Sequence, residues 1–442
     1  MSLLHCLNRL RTLWADARGN ALLLTGLALP IVIGAAGLGV HTMQLSYVKR
    51  QLQREADSAA MAGAYSLYQS QGNTAATAQA NKALTQNTLV PGATATITPG
   101  SYTSGSTTYT SAMYIKLVST QATPLMGLFG RSNSDVSADA RAAVVPDGKL
   151  CFIALETGNT AGITFAGNSN VDLGCGSGTN SIAGVAVNVN GQPIIKTTPI
   201  VAMGGIPSST AYAAGTVLMP NHAAIADPFA GNSYDPSTSD VSNGKCKSGS
   251  NWNDINIASG SSRDDTQGTA LYPPGCYGTI NVQGILKLTN GTYYLANGAN
   301  NAGLQVGAQG RLTCDHCTFV LTSTTPNNAN SFATMDINGG AQVNIGGSVG
   351  GVYDGITIYR DSRAAASNQC CQINGNSSSS YSGAFYFPKD TLTFNGTAGM
   401  TLNCFQMVGL RLSFSGNAAI TNTCTPPGGA PKWSVSSVRL IS

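Results

Sequence analysis

Ten of the eleven cysteines lie beyond residue 150, at Cys151, Cys175, Cys246, Cys276, Cys314, Cys317, Cys370, Cys371, Cys404 and Cys424; Cys6 alone precedes them. An even set crowded into one part of a chain suits an oxidising compartment, where thiols pair as disulfides. The spacing lets Cys151 and Cys175 close one loop and Cys246 and Cys276 another, although spacing alone does not fix connectivity. Cys314-Asp315-His316-Cys317 has the ligand types of half a zinc site. A tetrahedral site needs a second pair, and only the adjacent Cys370-Cys371 offers one. In an exported chain a local disulfide is the plainer reading, so all ten are disulfide candidates and no metal or cofactor is expected.

Two further groups have chemical potential. Asp235-Pro236-Ser237-Thr238-Ser239 matches the D-x-S-x-S pattern in which oxygen ligands hold Mg²⁺ at the end of a buried strand. The preceding Ala230-Gly231-Asn232-Ser233-Tyr234 is no such strand, and turn chemistry accounts for the same residues. Asp354, Arg360, Asp361 and Arg363 surround the apolar stretch 356–359. Enzymes that cleave acidic polysaccharides place carboxylates and basic groups together in this way, to neutralise a sugar acid and move a proton. An Asp–Arg surface pair at a strand end explains them equally. The four histidines, His5, His41, His222 and His316, are scattered, and none is placed for catalysis. Nothing resembles a nucleophile motif, a phosphate loop or a dinucleotide fingerprint.

The elements that must carry these residues begin with 21–40, ALLLTGLALPIVIGAAGLGV, twenty residues without a charge. That is the length a helix needs to cross a hydrocarbon layer about 30 Å thick. Pro30 is tolerated there as a kink. A cleaved signal peptide and a buried core helix are the competing readings. The continuation favours the anchor, because Leu45, Val48, Leu52, Ala56 and Ala59 recur three or four apart among charged residues. The same helix should therefore emerge as an amphipathic stalk to about Tyr68. Arg9, Arg11 and Arg18 on one side balance Lys49, Arg50 and Arg54 on the other, so the positive-inside rule does not orient it. The late cysteines do: residues 1–20 belong in the cytoplasm and everything after residue 40 outside.

Charged residues are 10% of the 442, glycines number 52, and the net charge is +4. An average soluble domain is about 25% charged, so this mix points to Gly-punctuated β architecture outside the cell. Residues 1–57 carry +3 of that charge, six Lys/Arg against three Asp/Glu, which leaves no basic footprint for nucleic acid. A second helix is expected over 73–89, and strands over 93–98, 108–118 and 135–145, with the apolar patch 125–129 capping the small sheet. A long helix followed by a small sheet is the plan of a pilin or pseudopilin, and Pro146-Asp147-Gly148 looks like its boundary.

Beyond it an internal repeat appears. ITFAGNSNVDLGC (163–175), LTFNGTAGMTLNC (392–404) and LSFSGNAAITNTC (412–424) share one template of apolar, Phe, Gly, apolar and Cys positions. MDINGGAQVNI (335–345) fits without the cysteine, and 280–288 fits loosely. Short strands with Gly corners suggest coils of a β-solenoid (β-helix), with a Gly-turned β-sandwich as the alternative. Residues from about Gly204 to Tyr272 read as an irregular excursion or lid. The expected fold is thus mainly β. It comprises a transmembrane helix (21–40), a stalk helix (41–70), a small pseudopilin-like α+β region (71–148) and a Gly/Asn-rich, disulfide-containing, β-solenoid-like domain (149–442).

Ala17-Arg18-Gly19-Asn20, the apolar run with its Pro, and VKRQLQREADSAAMAGA (48–64) resemble the N-terminus of the TadE/TadG-like Flp pilus-assembly family. The likeness covers about 16–65 and rests most on Ala56-Asp57-Ser58-Ala59-Ala60 and Ala62-Gly63-Ala64. It implies a single-pass inner-membrane protein of a tight-adherence (Flp, type IVc) pilus machine, with its C-terminal domain periplasmic or surface-exposed. The implied role is non-enzymatic, structural or adhesive. The implied partners are other Flp/Tad assembly proteins and pseudopilins, with membrane lipid around the anchor; surface glycans are a further candidate partner. Prepilin-type processing at Gly19 would need a glutamate where Leu24 stands, so the anchor should stay in place. From another class, the runner-up is a membrane-anchored β-helix protein that binds or cleaves surface polysaccharide.

Overall fold

The computed structural model describes residues 17–105, 107–124, 132–248, 250–296, 302–375, 379–396, 400–417, 419–423 and 433–441. The N-terminal residues 1–16, the patch 125–129 and Cys424 lie outside them. The chain divides into two compact units, Met1–Val145 with Ser436–Ser442, and Pro146–Val435.

In the first unit, helix α1 runs unbroken through Pro30 from Ala17 to Tyr68, 52 residues or about 78 Å at 1.5 Å per residue. The chain leaves it at Ser70 in the left-handed region, φ 58. Helix α2 (Gly72–Gln86) and an antiparallel sheet pack on its C-terminal half. The sheet comprises β1 (Thr94–Ser104), β2 (Thr107–Ala122) and β3 (Asn133–Ala154), with β2 paired to both neighbours. Strand alternation sends Met113, Ile115 and Leu117 of β2, and Val136, Ala138, Ala140 and Ala142 of β3, to the helix face. Arg141 on the other face lies between the rings of Tyr102 and Tyr114, 4.6 and 4.5 Å from their centres.

Helix α2 stops at Gln86 rather than continuing to 89 because Glu55 draws the following residues away. Its buried carboxylate accepts the amide hydrogens of Leu89 and, at 2.6 Å, Val90. Asn87 closes the helix end, donating to Ala83 O at 3.0 Å and to Ser58 Oγ at 3.2 Å. The strands are longer than their alternating cores suggested, since the ladder continues through residues that are exposed on both faces.

The second unit is built mostly of short strands in large parallel sheet. Strands pair in parallel with the strand three places later, as 163–167 does with 187–191, 170–172 with 194–196, and 280–282 with 302–306. One ladder aligns Ile255, Ile280, Leu304, Met335, Cys371, Leu392, Leu412, Ile163 and Val187. All nine are at most 1% exposed, so this row is a continuous core. A second ladder stacks Leu286, Leu312 and Val343, and a third stacks Tyr293, Phe319, Ile358, Phe385, Met407 and Phe152. These parallel pairings are not those of an antiparallel sandwich.

The spatial order of the strands differs from their order in the chain. The strand 411–416 pairs with Ile163–Gly167, so the last complete template copy lies against the first. Phe394, Phe414 and Phe165, the aromatic positions of the three copies, form a column with ring centres 5.9 and 5.3 Å apart. The corners after Phe165 and Phe414 require glycine: Gly167 and Gly416 have φ 71 and 83. A Cβ on Gly167 would lie 2.8 Å from Gly416 O. Sequential strands therefore stack from Ile255–Ile257 up to 411–416, which pair with the earlier strand Ile163–Gly167.

The excursion is shorter than the sequence suggested. Ile255–Ile257 and Ser262–Asp264 already belong to the ladders, pairing with Ile280–Val282 and Ile285–Lys287. Strands of three residues are too short for alternation to reveal.

Candidate functional site

Two apolar surfaces are large enough to matter for function, and the chain treats them differently. The first is the N-terminal half of α1. Leu27 is 64% exposed, Ile31 73% and Met43 76%, and Leu24, Leu29, Val32, Ile33, Leu38 and Val40 are exposed with them. No described residue covers these side chains. Among the described residues α1 is the one helix long and apolar enough to cross a membrane. Its C-terminal half is the reverse. Leu52, Ala56, Ala59, Ala60 and Ala64 are fully buried against α2 and the sheet. Small side chains set the approach there, and a Cβ on Gly63 would lie 2.6 Å from Met113 Cε. The Ala-rich phrase that carried the resemblance is thus the packing face of the helix.

The second surface lies on the outer side of the third ladder, where Tyr294, Val320, Tyr359, Tyr386, Val408, Ile153 and Val201 project. The excursion covers it. Asn180 holds Ile225 with both amide atoms, at 2.7 and 2.8 Å. Tyr386 donates to Asp227 at 2.8 Å and Tyr353 to Tyr234 O at 2.7 Å. The rings of Phe229 and Tyr234 pack 4.8 and 5.9 Å from that of Tyr386. The Cys246–Cys276 disulfide ties down the end of the segment. Burial raises the Tyr353, Tyr359 and Tyr386 hydroxyls above the ordinary tyrosine range.

Asp235, the first residue of the D-x-S-x-S pattern, belongs to this cover. It accepts hydrogen bonds from Tyr359 at 2.5 Å and from the amide and hydroxyl of Ser362 at 2.9 and 2.7 Å. Burial pushes its carboxyl up, but the bonds from Tyr359 and Ser362 outweigh it and hold the group below its ordinary value. Ser237 bonds Ser239 and Asp240, both at 2.6 Å, in a self-contained turn. No cluster of three His, Cys, Asp or Glu suited to a metal exists among the described residues.

Three of the four charges around the strand Ile356–Arg360 are held in ion pairs within the chain. Buried Arg360 meets fully buried Asp390 at 3.0 Å. Asp361, also fully buried, takes Arg363 at 2.6 Å and the Thr322 hydroxyl at 2.7 Å. Desolvation lowers the Arg360 guanidinium and Asp390 counters it. Asp354 stands apart, accepting the Gly350 amide at 2.8 Å. Arg360, Asp361 and Arg363 are thus held by partners within the chain, and of the four charges only Asp354 is left outside an ion pair among the described residues.

The structure joins Cys151 to Cys175, Cys246 to Cys276, Cys314 to Cys317 and Cys370 to Cys371, with Cα separations of 6.0, 4.6, 5.8 and 3.7 Å. Cys404 is disulfide-bonded as well. The sulfurs of both C-D-H-C cysteines are thereby occupied, and His316 projects from between them with its side chain exposed.

Residues 19–66 match the model of a family described as putative Flp pilus-assembly TadE/G-like. This is the family that the sequence resembled, and the matched segment contains both halves of α1. No curated protein and no solved structure matches the chain.

Proposed function

We propose that the protein is a membrane-anchored, non-enzymatic structural component of Flp-type pilus assembly. The observation that carries this reading is the division of α1 within its TadE/G-like segment: large exposed apolar residues over 24–43, small buried ones over 52–64. The exposed half sits in the bilayer beside lipid and the helices of other assembly proteins, with residues 1–20 on the cytoplasmic side. Residues 71–148 form a pseudopilin-like module with the stalk. Residues 149–442 form a β-solenoid on the periplasmic side or at the surface, braced by disulfides. Support for the solenoid comes from strands that pair three apart, with one inward row per ladder.

The test uses the full chain, tagged at its C-terminus and extracted from envelope membranes in detergent. Other Flp-assembly proteins should co-purify, and deleting the protein should abolish pili and adherence. If none of them is recovered and pili persist in the deletion strain, the reading is wrong.

A further inference from the structure

A polar groove opens on the second unit where the ladder is interrupted. Between Ser382 and Ala384 the strand opposite advances from Asn403 to Gln406, one residue too many, which makes a bulge. Gly383 at φ 84 and Cys404 at φ 48 take up the irregular backbone. The concavity is about 450 Å³, and a second one of about 340 Å³ adjoins it, sharing His316, Ser348 and Val349. Both fall in the roughly 300–1,000 Å³ range of small-molecule sites.

The lining carries hydrogen-bonding groups that the described residues leave free for a ligand. Gln406 is 7% exposed, lines the groove, and its side-chain amide has no intramolecular partner among the described residues. Neither polar atom of that amide is among the buried unpartnered ones, so the group is open to the groove and free to bond a ligand there. Asp315 and Asn403 also line the groove without a side-chain partner among the described residues. His316 and the remaining oxygen of Asp354 add an imidazole and a carboxylate. Phe229, Ala384 and Val349 supply apolar surface beside these groups.

We propose that this groove binds an uncharged sugar of one to three rings. Among the described residues no Lys or Arg lines either concavity, so an anionic sugar, phosphate or carboxylate would find carboxylates and no Lys or Arg counter-charge there. A purely apolar ligand would strand Gln406 and Asn403. A pyranose presents hydroxyls that both donate and accept, and flat C–H faces between them. Carboxylates accept from such hydroxyls, amides do both, and the apolar side chains meet the ring face. The adjoining concavity past His316 lets the chain of rings continue toward Asn290 and Thr292.

The full chain in a detergent without a sugar headgroup is titrated with N-acetylglucosamine, galactose, maltose and cellobiose, and saturation transfer to each sugar is read by NMR. At least one should receive saturation. Asp315→Ala and Asn403→Ala change exposed side chains and should weaken that sugar tenfold or more without moving the melting temperature. Gln406→Ala should do the same. If no sugar receives saturation, or the signal is unchanged in all three variants, the site is not a sugar site. Displacement of the sugar by arginine at equal concentration would also overturn the proposal, in favour of a cationic partner. The result is independent of whether pili require the protein.

Discussion

The outer side of the third ladder and the exposed half of α1 are both apolar, yet among the described residues only the first is covered. The ladder face is aromatic, so its tyrosines bury rings while their hydroxyls reach Asp227, Asp235 and the Tyr234 carbonyl. A covering segment can be tied to such a face by directional bonds as well as area. The helix half from Leu24 to Met43 offers aliphatic groups and, apart from Thr25, His41 and Thr42, no side-chain polar atom to tie anything to. Thr42 spends its hydroxyl on Leu38 O at 2.8 Å within the helix. A surface with nothing to direct a protein cover is suited to a lipid one. The comparison teaches that the presence of polar anchors, more than the apolar area, separates the self-covered face from the exposed helix half that the proposal places in lipid.

Charging the helix half breaks the comparison hardest. Leu27→Asp with Ile31→Asp adds about 2.5–3.5 kcal/mol per residue to insertion. The double variant should move from the carbonate-resistant pellet to the soluble fraction or be degraded. Removing the aromatic anchor of the cover comes next. Tyr234→Ala should cost about 3–5 kcal/mol, seen as a lowered urea midpoint of the second unit, whereas the same change at exposed Tyr47 should leave it unmoved. Gly63→Val tests the packed half of α1 and should cost about 1–3 kcal/mol by overpacking against Met113.

The smallest effect is acid-dependent. The Asp235 carboxyl lies below its ordinary value in the folded protein. Its contribution is complete above the unfolded value of about 3.9 and is lost as pH falls through the lower folded one. Asp235→Asn should flatten that part of the acid-unfolding curve and leave the slope between pH 5 and 7 unchanged.

Much of this was legible in the sequence, for identifiable reasons. The uncharged run from Ala21 and the small residues from Ala56 to Ala64 are contiguous, so period and composition expose them directly. The template also worked locally, since Phe165, Phe394 and Phe414 occupy one column. It could not reveal that the first copy adjoins the last, because a repeat encodes what stacks and not in which order. Asp235 looked like part of a metal motif because its partners, Tyr359 and Ser362, are more than a hundred residues away. Arg360 and Asp361 looked like neighbours and instead pair separately, with Asp390 and Arg363. Gln406 and Asn403 carried no signal at all, since their importance arises from a bulge that only the pairing register shows.

The most direct test of the central claim is fractionation of the native protein followed by N-terminal sequencing and thiol labelling of the membrane-bound form. The account predicts a carbonate-resistant chain that retains residues 21–40 and whose cysteines beyond residue 150 react only after reduction. A soluble mature chain that begins after residue 40, or late thiols that label freely without reductant, would contradict it.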